Sequence, residues 1–296
     1  MVVINQLTAQ NVPPSIRLAD YLINQFEQCH TKSSLKKAIK KSEILVNGLP
    51  GKTSHIVREQ DLIQLIDHET IEPRPYPIDL DVIYEDSHMT IVLKPAGLVV
   101  SGNQWRTLQN CLPENITATS VNDALKYARP VHRLDAQTSG LVVVSKTRSA
   151  HILLSKAFEQ RQVQKTYHAI VMGNLEGSGL IDKDIEGKSA SSTFSSLQVV
   201  PSLRSEHLSL IELSPKTGRT HQLRIHMASI DHPIVGDKLY GEVGNTLQHK
   251  GLFLCATALQ LKHPITNEEL KVEIGVPNKF YSLLKREETR YRKYRE

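Results

Sequence analysis

The chain predicts an α+β protein built from two folding units, and three observations carry that expectation. Apolar residues at helical spacing alternate along the sequence with short aliphatic runs of strand type. A stretch carrying Pro73, Pro75 and Pro77 divides a small N-terminal part from a larger C-terminal one. At 296 residues the chain can fill a sizeable core and carry more than one unit. Its 40% hydrophobic and 23% charged residues are the composition of a soluble globular protein. The formal charge of +5 favours polyanionic partners.

Residues 14 to 67 read as a small α+β unit. Leu18, Tyr21, Leu22 and Phe26 fall at helical spacing, and a second helix is expected from about Ser33 to Lys41. That helix is basic, with Lys32, Lys36, Lys37, Lys40 and Lys41 crowded together. ILVNG and the segment around Asp61 to Ile66 then read as strands joined through Asn47-Gly48. The succession LxxYL, basic helix, VNG and final strand is similar to the S-four-type RNA-binding domain. This resemblance implies RNA contacts from Lys36, Lys37, Lys40, Lys41 and Asn47, whereas the bland reading is a solvated lysine face. Gly51-Lys52-Thr53 hints at a phosphate loop, but Val46 stands where the earlier glycine of that motif is required.

Residues 68 to 80 are polar and proline-rich, which predicts an extended, semi-rigid linker. The larger unit is expected over 81 to 275. DVIYEDSHMTIVLKPAGLVV reads as a hairpin about Glu85 to His88 that closes on Lys94-Pro95-Ala96-Gly97. TSVNDALKYA reads as a short helix leading into RPVHRLDAQTSGLVVVSKT. Here His132, Arg133, Leu134 and Asp135 precede the turn cluster Thr138-Ser139-Gly140, and Leu141 to Val144 read as a buried strand. An acid on a tight loop beside a rigid core strand is where chemistry is usually placed.

Beyond it, Ala150, Leu153, Leu154, Ala157 and Phe158 predict one buried helix face. Lys165 to Val171 alternates as a strand with Tyr167, Ala169 and Val171 on one side. Residues 173 to 193 read as a connection, and HLSLIEL as a strand. In SPKTGRTHQLRIHMASIDHPIVGDKLYG, Leu223, Met227 and Ile230 make a helical stripe, with Thr217-Gly218 as the helix entry. Lys216 and Arg219 beside a helix N-terminus call for an anion, and RNA phosphate fits. His221 and His226 face different ways at their spacing, and no Cys or Glu completes a metal set, so no metal is expected. GLFLCA reads as a further strand, and residues 276 to 296 as a basic charged tail or solvated helix.

HRLD, TSG and the aliphatic run with Lys146, followed by Lys-x-Tyr-x-Ala and by the Arg219 to His226 segment, resemble the RluA family of RNA pseudouridine synthases. The resemblance covers residues 80 to 275 and implies a catalytic domain built on a mixed, mostly antiparallel sheet. It implies that Asp135 is the catalytic aspartate, that Tyr167 lies against the uracil, and that Arg224 is the charge partner of Asp135. Arg133 would occupy the space that the extruded base vacates. The implied substrate contacts are Arg133, His132, Thr138, Lys165, Lys216, Arg219, Thr220, His221, Gln222 and Leu254. Two departures stand out: Ala136-Gln137 where many relatives carry charge, and Cys255 where relatives commonly carry histidine.

The implied reaction needs no cofactor: the glycosidic bond breaks, the uracil turns, and a ring carbon rejoins the anomeric carbon. A carboxylate kept charged in a dry site needs a fixed cation beside it, and a guanidinium suits that task. The expected partner is RNA, with large-subunit ribosomal RNA favoured and transfer RNA open. A competing reading is an RNA-binding ribosome assembly factor with a vestigial site. A serine hydrolase using Ser139 or Ser145 lacks the Gly-x-Ser-x-Gly elbow. Cys29, Cys111 and Cys255 have no metal-ligand spacing and read as reduced thiols. With no secretory pattern at MVVINQLTAQNVPP and no apolar run near about eighteen residues, a cytoplasmic monomer without membrane contact is expected.

Overall fold

A computed structural model describes residues 2–67, 73–241 and 250–295. The chain forms two compact units, residues 1–72 and 73–296. In the first, β1 (Val2–Thr8), a helical turn α1 (Leu18–Tyr21), helix α2 (Lys32–Lys40), β2 (Ile44–Val46), β3 (Leu49–Pro50) and β4 (Leu62–Asp67) follow in order. The sheet runs β1-β4-β2-β3 with every pair antiparallel. Thr31 caps α2 in a reciprocal box with Ser34, which satisfies two otherwise unpaired donors. Leu18, Leu22, Phe26 and Leu35 are fully buried together.

Three expectations for this unit change. The LxxYL segment gives a single helical turn, although its apolar side chains do enter the core. Asn47-Gly48, with φ of +51° and +79°, turns β2 back onto the short β3 rather than onto β4. Strand β1, ahead of residue 14, supplies an edge of the sheet by pairing with β4.

Residues 68–72 of the expected linker lie outside the described residues. Residues 73–80 are extended but not free, because Tyr76, Ile78 and Leu80 pack on the core of the second unit. Tyr76 donates its N–H to the Asn110 carbonyl (3.0 Å), and Leu80 to Asn115 Oδ1 (2.6 Å).

The second unit contains β5 (Val82–Glu85), β6 (Met89–Lys94), α3 (Leu108–Asn115), β7 (Ala124–Pro130), β8 (Ser139–Thr147), α4 (Arg148–Glu159) and β9 (Gln164–Met172). These are followed by β10 (Ser178–Asp182), β11 (Ser191–Ser202), β12 (Glu206–Pro215), α5 (Gln222–Ser229), β13 (Leu254–Lys262), β14 (Glu269–Glu273) and α6 (Asn278–Arg295). The sheet runs β10-β11-β12-β9-β13-β8-β6-β5, with β14 added to β13 and β7 to β8. It is mixed and mostly antiparallel, as the family resemblance implied: β13 and β8 form its parallel pair.

That pair needs Gly140. At φ +130° a Cβ there would lie 2.3 Å from the Ala256 carbonyl oxygen, so only glycine lets β8 and β13 meet at Ser139–Cys255 and Gly140–Ala256.

Four local readings are corrected. Of TSVNDALKYA, read as a helix, residues 124–128 belong to strand β7, which pairs with β8, and the helix of that region is α3, upstream. The stretch read as a plain connection contains β10, paired with β11. Leu153, assigned to the buried face of α4, is 45% exposed, while Ala150 and Leu154 are buried. The charged tail is the end of helix α6, whose Phe280, Leu283, Leu284 and Glu287 are buried. Phe280 packs on Phe253, with ring centroids 5.4 Å apart, and Glu287 accepts a hydrogen bond from Ser202 Oγ (3.2 Å).

Candidate active site

The loop between β7 and β8 is set by its backbone before any side chain acts. Thr138 N–H closes a turn onto the Asp135 carbonyl (3.1 Å). The next carbonyl, Ala136, accepts from Gly97 N–H (2.7 Å) and from Lys94 Nζ (3.2 Å). Lys94 is fully buried, and its ammonium also donates to the Leu98 (2.7 Å) and Pro95 (2.9 Å) carbonyls. Burial pushes this lysine down to about 8, and Asp135 only partly offsets that. The Lys-Pro-Ala-Gly turn thus clamps the segment that carries Asp135.

Asp135 is partly exposed and faces Arg224 from the first turns of α5, with Nη1 and Oδ2 3.7 Å apart. His221 Nε2 lies 3.8 Å from the other carboxylate oxygen. Arg224 is buried and held from behind: Nε and Nη2 donate to the two oxygens of Asp237 at 2.7 and 2.8 Å. This bidentate pair leaves Nη1 directed toward Asp135 and fixes the guanidinium plane. Burial raises the Asp237 carboxyl, but hydrogen bonds from Arg224 and from the Leu239 and Tyr240 N–H groups outweigh it and hold the group below the usual carboxylate range. The Tyr240 ring lies 5.1 Å from the Arg224 guanidinium, and its hydroxyl meets His221 Nδ1 at 3.0 Å.

Tyr167 enters from β9, where it pairs with Leu213 of β12 and Ala256 of β13. Burial, and next the charge of Asp135, push its hydroxyl up, so it is a neutral phenol at any physiological pH. A phenol in that state offers a ring face and an O–H donor.

These three side chains line one cleft of about 300 Å³, at the small end of ligand-site volumes. Arg133, His132, Thr138, Lys165, Arg219, Thr220, His221, Gln222 and Leu254 line it too. The cleft does not include Lys216, which lies in a neighbouring depression. Lys36, Lys37, Lys40 and Lys41 are exposed on and just after α2 in the other unit. There Asn47 spends its side chain on Asp61 (2.8 Å) and the Leu62 N–H (2.9 Å).

Several expected contacts have structural duties. His132 stacks on Phe158 with centroids 4.3 Å apart and accepts the Val143 N–H at Nε2 (2.9 Å). Burial, and next Lys165, bring it down to about 3, so it stays neutral. Gln222 accepts from Thr217 Oγ1 (2.6 Å) and the Arg219 N–H (3.0 Å). Its amide donates to the Ser191 carbonyl (2.9 Å) and Ser192 Oγ (2.8 Å). The amide therefore braces the loop ahead of α5.

That helix begins at Gln222 behind a left-handed His221, not at Thr217-Gly218, which puts Lys216 and Arg219 in the loop that leads into it, with Arg219 N–H bonded to Gln222 Oε1. His226, fully buried, bonds to Ser192 Oγ and the Lys183 carbonyl. Among the described residues no cluster could hold a metal ion, and no helix is long and apolar enough to cross a membrane.

Sequence reasoning passed over Asp237 and Tyr240, although both lie in HPIVGDKLYG. The available signal was physical: a buried arginine with a catalytic assignment requires a carboxylate behind it.

The chain is similar to known proteins. A family model described as RNA pseudouridylate synthase matches residues 88–229. An uncharacterized RNA pseudouridine synthase of Bacillus subtilis is 36% identical over 255 residues, covering 79% of this chain and 82% of that protein. Ribosomal large subunit pseudouridine synthase D of Yersinia pestis is 32% identical over 288 residues, covering 86% of each. The solved structure of human RNA pseudouridylate synthase domain containing 1 matches with a TM-score of 0.56 at 26% identity, over 66% of this chain and 83% of that one. The matched segment contains Asp135, Tyr167 and Arg224, fold and sequence agree, and the chain belongs to the RluA family of RNA pseudouridine synthases.

Proposed function

We propose that the chain isomerises specific uridines in large-subunit ribosomal RNA, with Asp135 as the catalytic carboxylate. The observation that carries the reading is the chain of contacts Asp135, Arg224, Asp237, in which one buried guanidinium is locked on one carboxylate and presented to another. The ribosomal substrate is supported by the names of relatives such as ribosomal large subunit pseudouridine synthase D.

In this reading the target base leaves its stack, at a cost of a few kcal/mol. Arg133, exposed at the cleft, fills the gap. Tyr167 lies along the uracil as a neutral phenol, with Leu254 as an apolar neighbour. Asp135 acts while the C1′–N1 bond breaks, the base turns, and C5 bonds to C1′; C5 then gives up its proton to solvent and N1 takes one up, so the product is an isomer of uridine. The exposed lysines of α2, in an S-four-like unit, add RNA contacts. Fixed geometry, rather than a bound cofactor, supplies the rate.

The test is release of tritium from C5-labelled uridine in unmodified large-subunit ribosomal RNA. Release by the unaltered protein and none by Asp135→Asn is the expected result. Equal release from both would remove Asp135 from the chemistry. Pseudouridine mapping in a deletion strain then identifies the uridine and separates ribosomal from transfer RNA targets.

A further inference from the structure

We propose that a second cleft, beside the active one, binds backbone phosphates of the RNA that flanks the target uridine. The cleft is walled by the end of α4 with the start of β9, and by the end of β12 with the loop that follows. Its volume is about 530 Å³, larger than the active cleft, so it holds a length of backbone rather than a lone ion.

Four cations line it, Arg161, Lys165, Lys216 and Arg219, against one carboxylate, Glu159. Such a one-sided concave surface concentrates anions. Lys165 and Arg219 line both clefts, so a strand can run from one into the other without leaving positive potential.

The walls are also fixed in advance. Arg161 ends α4 in a left-handed conformation at φ +59°, and the Gln162 N–H returns to the Ala157 carbonyl (2.9 Å). On the facing wall Arg219 Nε donates to the Ser189 carbonyl (3.0 Å), with Gln222 bracing its N–H (3.0 Å). Burial, and next the nearby Arg161, hold the Lys165 ammonium below its usual range. The lining is mostly polar, which disfavours an apolar occupant.

The inference rests on the proposed action on RNA but is tested separately from it. Full-length protein carrying Arg161→Gln with Lys216→Gln is titrated with unmodified large-subunit ribosomal RNA over a salt series. Two lost phosphate contacts should lower the slope of log affinity against log salt by about 1.4 to 1.8, and the affinity deficit should shrink as salt rises. Arg161→Lys with Lys216→Arg should restore the slope. An unchanged slope in the glutamine variant, or a deficit that the charge-preserving variant does not restore, would overturn the proposal. Tritium release by the unaltered protein is followed in parallel. Its absence would sink the functional reading and leave the binding comparison intact, because binding needs no turnover.

Discussion

Removing the charge of Asp237 while keeping its shape, as Asp237→Asn, should disable the protein although this residue does not face the cleft. Asp237 is 1% exposed and Arg224 5%, so neither can recruit bulk water when the pair is broken. An amide presents one acceptor oxygen and one donor NH2, whereas Arg224 donates from both Nε and Nη2. One of the two bonds must be lost, and the amide donor then faces a guanidinium donor. Breaking a buried pair costs about 3 to 5 kcal/mol, of which a charge-assisted hydrogen bond accounts for about 1.5 to 3 kcal/mol.

At a urea dependence of about 3 kcal/mol per molar, the unfolding midpoint of the second unit should fall by about 1 M or more. Arg224 would also lose its fixed plane opposite Asp135, and every ~1.4 kcal/mol of misplaced charge stabilisation lowers the rate about tenfold. Urea unfolding and tritium release measure the two effects. Because the Asp237 carboxyl is held below its usual range, its contribution is present at neutral pH and is lost as pH falls through its folded value. The variant should therefore lack part of the wild-type acid sensitivity. A variant with unchanged midpoint and unchanged release would refute the argument that Arg224 is held from behind.

Two further outcomes test the frame of the site. Gly140→Ala places a methyl group against the Ala256 backbone at an unfavourable φ, costing about 1 to 3 kcal/mol for overpacking and about 1 to 3 kcal/mol for strain; a thermal midpoint equal to wild type would contradict this. Lys94 is pushed down to about 8 from a usual 10.5, so between those values the folded state binds fewer protons than the unfolded one and stability rises with pH. The stability of wild type relative to Lys94→Met should therefore grow as pH is raised through that window, and urea unfolding at stepped pH that shows it shrinking would mean that folding favours the ammonium and would contradict the lowered value.

What the sequence made legible follows from which forces are local. The aliphatic run Leu141 to Val144 and the alternation through Tyr167 announce β8 and β9, because burial on a sheet leaves its period in the chain. TSVNDALKYA misled because the helical propensity of its second half is overridden by pairing: Ala124 opposes Thr147 of β8, and the strand that starts there runs on to Pro130. The C-terminal segment misled differently. Its charged run is obvious, while the apolar anchor Phe280, Leu283 and Leu284 lies just upstream and docks beside Phe253 and Val200, a long-range contact that charge counting does not reveal.

The site divides in the same way. Asp135, Tyr167 and Arg224 sit in ordered motifs, and the fold gathers them into one cleft. Asp237 and the reach of Lys94 to the Ala136 carbonyl are consequences of burial and loop closure, which no spacing encodes.

This distinction changes the meaning of Ala136-Gln137, the pair that the family resemblance set apart. Ala136 contributes to the site through its carbonyl, which receives both Gly97 N–H and Lys94 Nζ. Neither contact depends on the side chain, so the backbone clamp tolerates any residue that can adopt the turn. Gln137 is exposed and carries none of the clamp's hydrogen bonds. The anchoring of Asp135 is thus insulated from the sequence beside it, and variation at these two positions is free to follow the RNA without disturbing the carboxylate.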